Sequence, residues 1–404
     1  MGSFDSLRYR DYRLLWTGAV LSNIGTWMQA IALSWYVFEL THSAFWVSFV
    51  TFANFVPAVF APIGGVYTDR MDRKVILLVA QTFMMLDAAV LAVLAWTGRA
   101  NLFAVMALTF GQGLGFALNA PAWQAFLPSL VPPEALVNAI ALNSAQYSVA
   151  RVIGPAIAGV LIATVGAGLV FGINAVSFLA VLAALALVRT RPAPLAAAQS
   201  VRDLLVGGFA YAWGNRLIRA MVGVIAVQAF FAAPVTALLP LFAADVFGRG
   251  AGGYGGLAAA LGVGAVLGAL LLGRLGNRVS QVFVAAAMAD MGAVLVVFSS
   301  VHSYPSGLVL MVLYGVAFLV IVAGTNSAIQ LQVDERVRGR VISIWLLAIG
   351  GFYPLGSLLA GAVAQVVGAP TTTMVGALVT AAWGLGLLWR FRSPAPQPAP
   401  ETAV

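Results

Sequence analysis

The sequence predicts an all-α integral membrane protein of twelve transmembrane helices in two pseudo-symmetric halves of six. Three observations carry this. Only 8% of the 404 residues are charged and 62% are hydrophobic, against about 25% charged in soluble domains. Apolar windows of ~20 residues, enough to cross a bilayer, recur twelve times. Arg and Lys gather in alternate connections between these windows, the pattern of the positive-inside rule.

The spans fall near residues 13–38, 44–67, 75–97, 101–122, 138–165 and 168–188, then 217–246, 252–273, 281–300, 304–330, 340–367 and 371–389. The first follows Arg8, Arg10 and Arg13 and runs from Leu14 to Phe38. That is too long for a cleaved signal peptide, so it reads as a membrane helix. The second and third are divided by an abrupt loop. Ser43 to Tyr67 carries no charge, five of the seven residues from Thr68 to Lys74 are ionisable, and Val75 to Leu86 is charge-free again. The long polar stretch with Arg189, Arg191, Pro192, Pro194, Arg202 and Asp203 reads as a linker. The expected division is therefore a six-helix bundle over 1–189, a cytoplasmic linker over 190–215 and a second bundle over 216–392. A Pro/Ala-rich tail over 393–404 is expected to be disordered.

With both termini in the cytoplasm, 18 of the 21 Arg and Lys residues lie on that side, Arg99 and Arg249 lie outside, and Arg151 lies within a span. The expected location is the cell (inner or plasma) membrane, multi-pass, with cytoplasmic termini. An internal repeat supports two related halves. Met85-Leu-Asp87 matches Met288-Ala-Asp290 at an offset of 203, and Arg70-Met-Asp72-Arg73-Lys74-Val75 matches Arg274-Leu-Gly276-Asn277-Arg278-Val279 at 204. The second copy has Gly273 where Asp69 would fall.

Composition also excludes function classes. The net charge of +8 and pI near 10.2 would suggest nucleic-acid binding in a soluble chain, but here the basic residues follow membrane topology, and no nucleic-acid partner is expected. No cysteine is present, which removes disulfides, thiol nucleophiles and thiolate metal sites. His42 and His302 fall in predicted outside loops without metal-ligand partners nearby. Gly111-Gln-Gly113-Leu-Gly115 lies inside an apolar span with no strand before it, so it reads as packing rather than nucleotide binding. There is no phosphate-binding loop for ATP-driven transport. Neither an enzyme nor a cofactor is expected.

The loop Gly65-Val-Tyr-Thr-Asp69-Arg70-Met-Asp72-Arg73-Lys74 resembles the signature loop of the major facilitator superfamily. Asn23-Ile-Gly25-Thr-Trp27-Met-Gln29, Leu127-Pro128 with Pro133-Glu134, Arg338-Gly339-Arg340-Val341 and Pro354-Leu-Gly356-Ser357 resemble its drug and siderophore efflux branch, which includes enterobactin exporters and macrolide exporters. The resemblance implies a secondary active transporter that exports hydrophobic or amphipathic small molecules (drugs, siderophores or secondary metabolites) by proton antiport and alternating access. The alternative is an uptake symporter of the same fold. Expected partners are the small-molecule substrate, protons and the lipid bilayer, for a monomeric protein.

Residue roles follow from this resemblance. Gly65, Asp69, Arg70, Arg73 and Lys74, with the acids Glu134, Asp334 and Glu335, are expected to form a cytoplasmic gate. There Asp69 sits against the N-terminal end of the eleventh helix. Arg151, Gly154, Pro155 and Gly159 resemble the Gly-Pro motif of exporters on the fifth helix. A ladder of Gly252, Gly256, Ala260, Gly264 and Gly268 is expected to face that helix from the eighth. The cavity is expected between the first, fourth, seventh and tenth helices, with Ser22, Thr26, Trp27, Gln29, Gln112, Asn119, Gln228 and Asn326 as lining. The embedded acids Asp87 and Asp290 are expected to behave alike, as structural hydrogen-bonding groups on supporting helices rather than proton carriers. Arg151 is expected to bind an anionic substrate or to pair with an embedded carboxylate. The fourth helix has Thr109 where the superfamily signature has an arginine tied to proton transfer. Arg151 is the expected substitute.

Overall fold

A computed structural model describes residues 4–57, 72–190, 211, 213–276, 280–333 and 335–392, and no strand occurs among them. The long helices, numbered in chain order, are α1 (Arg10–Thr41), α2 (Ala44–Phe55), α3 (Arg73–Trp96), α4 (Leu102–Phe126), α5 (Leu136–Val165) and α6 (Ala167–Leu187). The second set is α7 (Arg216–Val246), α8 (Ala251–Leu275), α9 (Gln281–Phe298), α10 (Tyr304–Gln332), α11 (Glu335–Val367) and α12 (Ala369–Arg392). Ten of them, α3 to α12, are long and apolar enough to cross a membrane. The 32-residue α1 and the described part of α2 complete the twelve. The predicted linker and tail fall almost wholly outside the described residues.

Short polar side chains fix where the helices start. Asp72 accepts from Lys74 N–H at 2.8 Å at the head of α3, Asn101 from Ala104 N–H at 2.8 Å at α4, and Asn215 from Leu217 N–H at 3.0 Å at α7. Each satisfies an end N–H that the helix leaves unpaired. The α5–α6 and α11–α12 connections are single glycines, Gly166 at φ +83° and Gly368 at φ +86°. Both sit in a Val-Gly-Ala sequence, 202 residues apart, so one left-handed corner has been repeated at equivalent places in the two halves.

α7 departs from regular α geometry. It contains two wide π turns, Gln228–Ala232 and Phe242–Val246. Ala233 N–H reaches back to Gln228 C=O at 2.8 Å and Phe247 N–H to Phe242 C=O at 2.9 Å. Pro234 and Pro240 cannot donate to the ladder, and the backbone widens next to them.

Within the first half α1 packs on α5 and α6, and α3 on α4 and α6. Within the second half α8 packs on α10, and α9 on α10 and α12. The halves meet through α5 against α8 and α2 against α11, two contacts related by the internal two-fold. The α1–α5 contact is a hydrogen-bonded ladder. Ser6 Oγ donates to Ala135 C=O at 3.0 Å, Tyr12 OH to Ala139 C=O at 2.8 Å, Trp16 Nε1 to Leu142 C=O at 3.0 Å, and Asn23 Nδ2 to Gln146 Oε1 at 3.0 Å. In lipid these polar groups have no water to turn to, so the ladder joins the two helices as one body.

The α1–α6 contact is closer still. Gly18 and Gly25 leave no side chain against Ala180, Asn174 and Ser177 of α6. The gap lets Asn174 Nδ2 donate to Gln29 Oε1 at 2.6 Å in a buried pair. Gln29→Leu strands the Asn174 amide, and the expected loss is ~1–3 kcal/mol, read as a lower denaturant midpoint in detergent micelles. An unchanged midpoint would mean that this pair contributes nothing net.

Candidate functional site

The α5–α8 seam is made of backbone. A Cβ built on Gly159 would lie 2.9 Å from Gly255 Cα, and one on Gly255 would lie 2.6 Å from Gly159 Cα and 2.7 Å from Pro155 O. One turn toward the membrane centre, Pro155 has no N–H to give the carbonyl four residues back, that of Arg151. Gly262 of α8 packs on that same carbonyl, where an added Cβ would come within 3.1 Å. The device recurs in the second half. Pro234 leaves the Phe230 carbonyl without its helical donor, and Gly356 of α11 sits directly on it.

The predicted α8 ladder is not this seam. Gly264 and Gly268 face Val312 and Val316 of α10, and Gly256 faces Tyr304. Steps of four residues overshoot a 3.6-residue turn by about 40° each, so five rungs wind about 160° around the helix. The seam residues are Gly255 and Gly262 instead, with Gly252 at its edge.

Toward the side opposite the chain termini, the halves are closed by side chains. Gln365 Oε1 of α11 accepts from Ser43 Oγ at 2.8 Å and from Phe45 N–H at 3.4 Å. Trp35 of α1 stacks on Tyr254 of α8 with centroids 6.2 Å apart. Gly361 packs on Ser48. Nearer the middle, Phe55 of α2 meets Tyr353 of α11 edge-on at 5.2 Å.

Arg151 lies at the centre of this seam. Its guanidinium carbon is 5.6 Å from the Trp27 ring of α1 and 5.2 Å from the Phe318 ring of α10, so it bridges the two halves. The phenols of Tyr147, Tyr314 and Tyr353 lie within electrostatic range of it. Tyr147, one turn before it on α5, is 42% exposed and packs edge-on to Trp27 at 5.8 Å. Among the described residues Arg151 makes no ion pair. The expected embedded carboxylate partner is therefore absent from them, and an aromatic cage takes its place.

The remaining expected cavity residues divide. Trp27 is in the cage. Gln29 faces α6, as described above, and Asn119 Oδ1 accepts from Gln81 Nε2 of α3 at 3.0 Å, so both amides serve packing within the first half rather than the cavity. Ser22 is buried and Thr26 Oγ1 returns to the Ser22 carbonyl at 2.9 Å. Gln112 Oε1 and Gln228 Nε2 are buried without partners among the described residues. Asn326 pairs with Gln330 one turn along α10.

The two embedded acids are not equivalent, contrary to expectation. Asp87 is 6% exposed, with Oδ2 unpartnered, against Gly111 of α4. Neither α4 nor α6, which pack on α3, carries an ionisable residue. Asp290 is exposed on α9. The repeat preserved the residue type without preserving its surroundings, and among the described residues Asp87 has no donor to support a structural hydrogen-bonding role.

Of the expected gate, Gly65, Asp69, Arg70 and Asp334 lie outside the described residues, as does the side chain of Glu335. Arg73 is 5% exposed and donates through Nη1 to Ala125 C=O at 3.0 Å, with Nε and Nη2 unpartnered among the described residues. Lys74 Nζ donates to Val188 C=O at 2.6 Å. Both therefore tie α3 to the ends of α4 and α6 within their own half. Glu134 is exposed.

A family model described as transmembrane secretion effector matches residues 1–400. The chain belongs to the major facilitator superfamily. Macrolide efflux protein A of Streptococcus pyogenes is 26% identical over 374 residues, covering 89% of this chain and 92% of the relative. The enterobactin exporter EntS of Escherichia coli O1:K1 / APEC is 27% identical over 338 residues, covering 83% and 80%. A bacterial homolog of the human lysosomal transporter Spinster, in an inward-facing and unoccupied conformation, shares the fold with a TM-score of 0.76 at 15% identity, over 98% of this chain and 100% of that one. A POT family transporter in complex with a thioalcohol-conjugated peptide does so at 0.76 and 12%, over 94% and 96%. The protein is thus a multi-pass membrane transporter of small molecules, not an enzyme.

Sequence reasoning missed Tyr147, Tyr314, Phe318 and Tyr353. Tyr147 had a legible signal, since it stands four residues before Arg151 and so on the same helix face. The other three reach Arg151 from the second half, and no local spacing reports that. The backbone seam makes a direct test available in this superfamily member. Gly255→Leu is expected to insert normally and to lose at least tenfold in transport rate, because α5 and α8 can no longer close. Transport at the wild-type rate with equal protein in the membrane would show that close approach is dispensable.

Proposed function

We propose that the protein is a secondary active exporter of amphipathic organic compounds, working by alternating access and proton antiport. It would sit in the cell membrane with both termini cytoplasmic, residues 1–189 and 216–392 rocking as two bundles joined by 190–215. The observation that carries this reading is the character of the seam. Side-chain contacts that can be made and broken, Ser43 and Phe45 to Gln365 and Trp35 to Tyr254, cluster at the side opposite the termini. Smooth glycine backbone lies below them. Such an arrangement supports two bodies that pivot while one mouth is shut. With the termini inside, the shut mouth is the outer one, and the conformation is inward-facing. The efflux relatives support the outward direction, and the aromatic lining supports amphipathic cargo. The gate at Gly65, Asp69 and Arg70, with its partner acids, remains part of this proposal.

The cysteine-free chain makes the pivot testable. Ser43→Cys with Gln365→Cys, joined by a short bismaleimide, is expected to stop transport, whereas either single variant treated alike continues. A disulfide-containing linker in place of the bismaleimide is expected to restore transport on reduction. Undiminished transport by the cross-linked pair would refute alternating access through this mouth. Inside-out and right-side-out vesicles separate export from uptake symport.

Asp87 is our candidate for the coupling proton. A buried carboxyl without donor or cation can take up a proton in one conformation and release it where water reaches it. Asp87→Asn is expected to keep abundance and substrate exchange but to lose efflux driven by a pH gradient. Gradient-driven efflux by that variant at the wild-type rate would exclude Asp87 from coupling.

A further inference from the structure

Arg151 combines four properties that a structural arginine in a membrane protein does not share. It lies in the middle of a span. It touches both halves, through Trp27 and Phe318. It makes no ion pair and donates no hydrogen bond among the described residues. Its backbone is pinned, because its own carbonyl is the one that Pro155 leaves without a donor and that Gly262 covers.

A guanidinium has five N–H donors in a planar fork and keeps its charge at any physiological pH. Two aromatic faces stabilise that charge without using the donors. The fork is left with its hydrogen-bonding capacity unspent, beside the partly exposed phenol of Tyr147. What complements it is a planar anion flanked by flat apolar surface. We propose that Arg151 is an anion subsite, and that the favoured cargo is an aromatic amphiphile bearing a carboxylate or similar organic anion. The anion takes the bidentate edge of the guanidinium while its ring system packs against Trp27, Tyr147 and Phe318. Because Trp27 and Tyr147 come from one half and Phe318 from the other, seating the anion there registers on both bundles at once.

The substrate class rests on the transporter reading above, but the subsite is tested by binding, which does not require transport. The probes are 2-naphthoate and its neutral isostere 2-naphthamide, with 2-naphthylmethylammonium as the cationic control, each titrated against purified protein in neutral detergent. The readout is stabilisation against thermal unfolding. Wild-type protein is expected to bind naphthoate at least tenfold more tightly than naphthamide, and to bind the ammonium most weakly. Arg151→Gln is expected to abolish that preference, and Arg151→Lys to keep a part of it. Phe318→Leu is expected to weaken all three probes and preserve their order.

Equal affinities for naphthoate and naphthamide in the wild type overturn the proposal, with no need for a variant to fold. So does failure of naphthoate to bind at millimolar concentration, or a preference that survives Arg151→Gln. If the anion preference is present but vesicles export no compound, the exporter reading fails and the subsite stands. If neutral amphiphiles are exported with no anion preference, the reverse holds.

Discussion

The fold depends on how closely two backbones can approach without water between them. In lipid, a helix satisfies its own N–H and C=O groups, and a proline breaks that closure at one carbonyl. Here the freed carbonyl of Arg151 is met by Gly262 of the facing half, and that of Phe230 by Gly356 within the second half. Proline thus frees a carbonyl in each half, and a glycine lets a neighbouring helix approach it closely. The halves themselves are held differently. Side-chain hydrogen bonds run from α1 to α5 and from α1 to α6, so the first half is joined internally and the smooth surface is kept for the boundary between the halves.

That division of labour explains what could be read along the chain. Hydropathy and charge asymmetry are properties of consecutive residues, so the twelve helices and their two-fold repeat were legible, and the cap residues Asp72, Asn101 and Asn215 mark their starts. Pro155 was legible as a backbone break, because a missing N–H acts locally. The face of a helix was not legible to the same degree. Gln29 and Asn119 look like cavity amides in a polar stripe, yet each is bonded to a helix of its own bundle. Polar side chains in a bilayer first satisfy one another, and spacing alone does not tell a ligand from a neighbour. The glycine ladder of α8 failed for a geometric reason, since a step of four is not a helical repeat.

The centre of the molecule was half legible. Arg151 stood out because a permanent charge in a span is costly enough to need a reason. Its partners did not, because they come from α1, α10 and α11, far apart in sequence. Asp87 and Asp290 show the opposite error. Similar sequence at a fixed offset invited one role for both, but one is enclosed against Gly111 and the other faces outward. A duplicated fold conserves outline more readily than the chemistry inside it.

The two π turns of α7 separate the halves in a further respect. Each holds an additional residue in a turn whose hydrogen bonds remain closed, and such a surplus residue can be handed along a helix turn by turn. α1, the counterpart of α7, is α-helical from Arg10 to Thr41 and is bonded to α5 at Tyr12, Trp16 and Asn23. The two bundles are therefore alike in shape and unlike in compliance: one behaves as a beam, the other as a beam with a built-in joint.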